Sequence, residues 1–261
     1  MSTDQSVSAV EIRLFGEITI RLNGQLAELP DSMRAVALLG WLAVHPGPHP
    51  RATIASALWP DVIDSSARQS VRTALWSLRR AFGDHADDVL DTSRSRIGLR
   101  NVSIDVQRFD QLITDGQFDE AFAFASGELL AGLDDEWAMR ARESHRDRLI
   151  ALLSDQSDKA AADGNFVVAI DRARRAAELN PLSESCARLL MRRHDEAGDR
   201  SVALAVYARM VERLRRELKI GPSEETWRLA EKIRNRHRVH SLRSSPDLQH
   251  RQSRRPALVG R

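Results

Sequence analysis

Between Arg68 and Gly83 the chain reads RQSVRTALWSLRRAFG, and the residue types fit one chemistry. On a helix, at about 100° per residue, Val71, Ala74, Leu75, Leu78 and Phe82 share one side. Gln69, Arg72, Thr73, Trp76 and Arg80 fall opposite, flanked by Arg68 and Arg79. Arg68, Arg72, Arg79 and Arg80 supply all the charge between Ser66 and Arg80, with no acid among them. Arginine pairs bidentately with guanine and glutamine with adenine, and further arginines hold phosphates. The outer face therefore suits a duplex groove while the inner face suits a core. A solvated surface helix has the same pattern, so the neighbouring elements must decide.

Those neighbours are predicted as follows. Glu11–Phe15 and Glu17–Leu22 alternate apolar and polar residues. Asn23-Gly24 favours a tight hairpin, and Gln25–Leu29 returns as a third strand. Met33–Val44 has the broad apolar side of a buried helix, broken by His45-Pro46-Gly47-Pro48. Arg51–Leu58 is a short second helix that ends at Trp59-Pro60-Asp61, and the Arg68 helix is the third. Val89–Thr92 and Arg96–Leu99 then pair around Ser93, Arg94 and Ser95, giving a hairpin with a basic tip. Strands, three helices and a hairpin make the plan of a winged helix-turn-helix, with the Arg68 helix in the recognition position. Trp76 is expected to be partly covered, because exposed tryptophan is uncommon.

From Asp105 onward the signals are helical. Asp115-Gly116 through Ala121 is echoed by Asp163-Gly164 through Ala169, and more loosely by Ala197-Gly198 through Ala203. Gly164 and Gly198 lie one tetratricopeptide period apart, with the glycine in the turn and the alanine where paired helices approach closely. Asn180-Pro181 and Gly221-Pro222-Ser223 close successive repeats, before a last helix at Glu224–Arg236. The longer first spacing, from Gly116 to Gly164, carries an insertion with Asp134-Asp135-Glu136 inside it. The expected organisation is a disordered 1–9, a winged-helix domain at 10–104, a helical-repeat domain at 105–236 and a disordered basic tail at 237–261. The fold class is mainly α with small β-sheets.

Composition narrows the function. The formal net charge is +2, but residues 237–261 hold six arginines against Asp247, so the rest of the chain is near −3. A basic tail thus sets the overall charge, and local clustering must carry any nucleic-acid argument. Cys186 is the only cysteine, which excludes an intrachain disulfide and a cysteine-based zinc cluster. The eight histidines show no metal spacing, and Gly127 and Gly132 lack the Lys-Ser/Thr of a phosphate loop. Asp84, Asp87, Asp88 and Asp91 read as a solvated turn, lacking the glycine and distal glutamate of a calcium loop. No nucleophile-elbow pattern occurs, so the chain is expected not to be an enzyme, to need no cofactor or metal, and to be cytoplasmic, at the nucleoid, away from membranes.

With Leu58-Trp59-Pro60-Asp61, Leu78-Arg79-Arg80-Ala81-Phe82-Gly83, Asn180-Pro181-Leu182-Ser183-Glu184, Gly198-Asp199, Ala203 through Tyr207 and Glu217-Leu218 through Ser223, the chain resembles the Streptomyces antibiotic regulatory protein (SARP) family from about Val10 to Arg236. The resemblance implies a response-regulator-type winged helix, followed by a bacterial transcriptional activator domain of tetratricopeptide-like helices. It implies sequence-specific binding to promoter direct repeats, recruitment of RNA polymerase and a homodimer at least on double-stranded DNA. Carried onto this sequence, the DNA-binding residues are Arg68, Gln69, Arg72, Thr73, Trp76, Arg79 and Arg80, the wing Ser93, Arg94, Ser95 and Arg96, and Arg51 and Thr53 on the second helix. The polymerase-contact loop between the second and third helices is Trp59, Pro60, Asp61, Val62, Asp64, Ser65 and Ser66. Pro50 stands where the family commonly has a small polar cap for the second helix, so His49 caps it or it starts unaided. Two alternatives are a helical-repeat interaction scaffold and the regulatory N-terminal part of a larger signalling ATPase. The second draws on Arg255 through Arg261, which resemble the entry to a nucleotide-binding domain.

Overall fold

A computed structural model describes residues 8–243. The expected N-terminal segment up to residue 7 and the tail from 244 lie outside the described residues. Chain packing divides between His145 and Arg146 into two compact units.

The first unit opens on β1 (Val10–Arg13), β2 (Thr19–Leu22) and β3 (Gln25–Ala27). β1 and β2 pair antiparallel with Ile12 opposite Ile20, and β2 and β3 with Ile20 opposite Ala27. Asn23 and Gly24 both take positive φ, 50° and 80°, the geometry that a two-residue hairpin demands. β1 and β2 are shorter than their alternation predicts. The N–H groups of Leu14 and Phe15 donate instead to the Asp105 carboxylate, at 2.7 and 2.9 Å, and this ends the ladder.

α1 (Met33–Val44) and α2 (Arg51–Leu58) have the predicted bounds, set by the breakers that follow them. α3 (Asp64–Phe82) begins four residues earlier than expected. Asp64, Ser65 and Ser66 are therefore its first turn, and the connecting loop shrinks to residues 59–63. A 3-10 turn (Gly83–His85) and α4 (Ala86–Val89) lead into β5 (Leu90–Thr92) and β6 (Arg96–Leu99), the wing. An unpredicted two-residue strand, β4 (His49–Pro50), pairs with β6 and gives the order β4-β6-β5.

The boundary expected after residue 104 is not where packing divides. β7 (Ser103–Ile104) joins β1 in parallel, and α5 (Asp105–Thr114), α6 (Phe118–Phe124) and the start of α7 (Glu136–Ala162) complete the unit. Leu129, Leu130 and Leu133 are buried in the same core as Ile12, Leu14, Leu38, Leu42, Leu78 and Phe82. The backbone of this inserted segment extends the edge of β1, with Leu130 N–H donating to the Leu14 carbonyl and Gly16 N–H to that of Glu128. Gly127 lies so close to Gly16 that a Cβ there would come within 2.5 Å of the Gly16 nitrogen. The Arg142 guanidinium donates to the carbonyls of Leu129, Leu130 and Leu133, each at 2.9 Å, and so satisfies groups that no strand or helix pairs. Acidic Asp135 is the partner of Arg34.

The second unit holds the rest of α7, with α8 (Phe166–Leu179), α9 (Glu184–Glu196), α10 (Arg200–Glu217) and α11 (Glu224–Arg243). Gly164 and Gly198 turn between paired helices at φ 75° and 86°, and Ala169 and Ala203 are fully buried where those helices meet. The same stereochemistry recurs in the first unit at Gly116 and Ala121. Arg193 is buried, donating to Ser157 Oγ, which in turn donates to the Ala169 carbonyl, and pairing with Asp158 and Glu196. α11 runs seven residues past its expected end, so 237–243 are helix and not tail.

Candidate nucleic-acid interface

Val71, Ala74, Leu75, Leu78 and Phe82 of α3 are buried against the first unit's core. That commits the helix to one orientation, and Arg68, Gln69, Arg72, Thr73, Trp76 and Arg80 are exposed on the other side. Three of these are already bonded within the helix. Arg72 Nη1 donates to Gln69 Oε1 at 2.9 Å, and Thr73 Oγ1 to the Gln69 carbonyl at 3.2 Å. The Gln69 amide oxygen is thereby engaged with Arg72.

Trp76 is not partly covered as expected. It is 62% exposed, because every apolar contact α3 can make lies on the opposite face. The Arg80 guanidinium stands 5.9 Å from its ring centroid and 3.8 Å from the Asp31 carboxylate.

Arg79 and Arg51 differ from the exposed set. Arg79 donates to Asp87 at 2.6 Å and to Thr92 Oγ1 at 2.9 Å, fastening α3 to the strand that enters the wing. Arg51 donates from its guanidinium to the Ser93 carbonyl and from its backbone N–H to that of Ser95. The second bond does the work of a helix cap, because Pro50 offers no side-chain acceptor and His49 donates elsewhere, to the His45 carbonyl. Burial, then the charges of Arg72 and Arg79, push the Arg51 pKa below its ordinary value. Three guanidiniums thus concentrate positive potential between α3 and the wing.

The wing tip is a tight turn. Ser93 N–H donates to the Arg96 carbonyl at 2.9 Å, and Ser93 Oγ accepts from the N–H groups of Arg96 and Ser95 at 3.0 and 3.4 Å. Arg96 Nε donates back to the Pro48 carbonyl, while Arg94, Ser95 and Thr53 are exposed. Of the wing arginines, Arg96 braces the hairpin while Arg94 stands exposed at the tip.

Of the segment expected to be a loop, Trp59 is half-buried and Pro60, Asp61 and Val62 are exposed. Ile63, within the same segment, is 79% exposed, the most exposed large apolar residue of the connector. An isoleucine beside Val62 carries no sequence signal that distinguishes a surface residue from a core one. Among the described residues no group of three or more His, Cys, Asp or Glu side chains is placed to hold a metal, and no helix is long and apolar enough to cross a membrane.

Comparison with known proteins adds two findings. The model of the bacterial transcriptional activator domain matches residues 104–234, half of the chain. A solved structure of Mycobacterium tuberculosis EmbR in complex with a low-affinity phosphopeptide is similar, with a TM-score of 0.63 at 21% identity. The match covers 91% of this chain and 66% of the EmbR chain, and at that identity it is a likeness of fold. Among curated proteins nothing matches.

Proposed function

Since the chain belongs to the bacterial transcriptional activator domain family, we propose that it activates transcription by binding promoter DNA through its winged helix and recruiting RNA polymerase. The observation that carries this reading is the outward face of α3, where Gln69, Arg72, Thr73, Trp76 and Arg80 stand exposed with no acid between them along the helix. A helix of this kind enters the major groove, with the wing beside it on the backbone. In this reading Arg72 and Gln69 meet base edges, Arg68 and Arg80 meet phosphates, and Arg94 reaches the flanking groove. Arg51 and Arg79 hold the frame.

The connector between α2 and α3 is the surface offered to polymerase, and its exposed Val62 and Ile63 give it an apolar contact. Two chains bind adjacent direct repeats, so that linkage raises avidity without new base contacts. The protein acts in the cytoplasm, at the nucleoid, and the reading requires neither cofactor nor catalysis.

The test is duplex binding across a range of salt, with the wild type and Arg72→Ala, on a selected promoter site and on random duplex. The substitution is expected to cost about 1–3 kcal/mol on the selected site and much less on random sequence. Equal losses on both would make Arg72 a phosphate contact. Absence of any preference among duplexes would leave the helical repeats as an interaction scaffold and remove the DNA-binding reading.

A further inference from the structure

Trp76 occupies an unusual place for an indole. On the helical wheel it lies within about 20° of Gln69 and about 40° of Arg80, at the centre of the outward face of α3. It is 62% exposed there, among arginines, glutamine and threonine. The aliphatic and aromatic surface that α3 gives to the core lies on the far side, at Val71, Leu75, Leu78 and Phe82. Moving Trp76 inward would require rolling the helix off that core. The ring is therefore fixed outward.

A groove-facing indole needs an apolar partner. Base edges in the major groove are lined with donors and acceptors, and the one apolar group among them is the thymine C5-methyl. We infer that Trp76 is a specificity residue that selects thymine through this methyl group, an inference that rests on the duplex-binding reading above. Arg80 assists by its place over the ring, 5.9 Å from the centroid, where a cation covers one π-face and leaves the edge and the other face for the base. The position of the selected thymine follows from the helix. Seven residues separate Gln69 from Trp76, a rise of about 10 Å, so the thymine lies two to three base pairs, roughly, from the base met by Gln69.

The experiment takes the full chain and a target site enriched from random duplexes. Each thymine is replaced in turn by deoxyuridine, which removes only the methyl, and binding is measured for the wild type and Trp76→Ala. One thymine is expected to lose about fourfold in affinity on demethylation with the wild type, the worth of one buried methyl-sized group. The same replacement is expected to change nothing with Trp76→Ala. At that position 5-methylcytosine is expected to bind better than cytosine, and Trp76→Phe to retain part of the methyl preference. Indifference of every thymine to demethylation, or an equal loss in both proteins, overturns the inference while leaving duplex binding intact. Failure to bind any duplex overturns the DNA-binding reading itself, and the inference with it.

Discussion

Arg51 grips the wing at Ser93. Its guanidinium donates to the Ser93 carbonyl from Nη2 at 3.1 Å and from Nε at 3.4 Å, across 42 residues of chain. Its backbone N–H reaches the carbonyl of Ser95 at 2.9 Å. The first residue of α2 thus holds the wing turn at two points, and the wing's angle to α3 is set by the second helix as much as by the hairpin itself.

Arg51→Ala keeps the backbone bond and removes the guanidinium bonds. Stability is expected to fall by about 0.5–1.5 kcal/mol, with faster amide exchange in the wing turn. Duplex affinity is expected to drop on specific and random sequences alike. A loss confined to the specific site, in paired binding titrations, would mean that Arg51 reads bases.

Arg94 stands exposed at the tip of that turn. Arg94→Ala is expected to weaken binding on all duplexes and to lower the slope of log K against log salt by about 0.9, the value for one phosphate. An unchanged slope would place the wing off the DNA.

Arg142 serves three carbonyls in a segment without regular structure. Arg142→Ala removes its bonds to all three, leaving the Leu130 carbonyl only the Leu133 N–H at 3.2 Å, and is expected to destabilise the first unit by about 1.5–3 kcal/mol, read as a lower urea midpoint. Arg142→Lys is expected to restore only part, since an ammonium lacks the planar fork that reaches several acceptors together. Full restoration by lysine would show that charge, not geometry, is what the segment needs.

Asp105 is buried, and burial pushes its pKa above the ordinary carboxylate range against the opposing effect of backbone donors from Phe15, Leu14 and Val106 and the charge of Arg13. A raised folded pKa means that the group favours folding below its ordinary pKa, and that this contribution is lost as pH rises through the folded value. Asp105→Asn cannot ionise. The stability of Asp105→Asn relative to wild type is therefore expected to rise with pH from the acid side through the raised pKa, and then to level. Whatever constant offset the lost oxygen adds, a flat difference across that range in urea titrations would count against a raised pKa.

A fragment ending at Val102 loses β7, the Asp105 carboxylate and the leucines at 129, 130 and 133. It is expected to unfold or to expose its core, as judged by near-ultraviolet circular dichroism and dye binding, whereas a fragment ending at His145 is expected to melt cooperatively. Cooperative unfolding of the shorter fragment would make the inserted segment dispensable.

Much of this was legible in the sequence where the signals are local. Asn23-Gly24, the breakers from His45 to Pro48, and Trp59-Pro60 punctuate the chain, and so the bounds of α1 and α2 could be read directly. The Gly164 and Gly198 turns, with their buried alanines, show as a period. The start of α3 was hidden, because Asp64-Ser65-Ser66 has the composition of a loop although it forms the first helical turn. Asp105 and Arg142 were beyond reach for a different reason. Each acts on partners fixed by tertiary contact, about 90 residues away for Asp105, and a lone charge at a helix start or face leaves no trace of that. On α3 the exposed face matched its periodicity, but which arginines point outward and which brace the wing depends on Asp87, Thr92 and Ser93, whose positions only folding supplies.

No residue of α3 both fills the core and occupies the centre of the outward face. Val71, Ala74, Leu75, Leu78 and Phe82 anchor the helix, while Gln69, Arg72, Thr73, Trp76 and Arg80 are exposed, with contacts among themselves and to Asp31. Such a division makes the outward set evolutionarily cheap to exchange. A library randomised at those five positions would be expected to stay folded across most of its members, and, if this face reads duplex as proposed, a lineage could redirect its targets through a few surface replacements while inheriting the scaffold untouched.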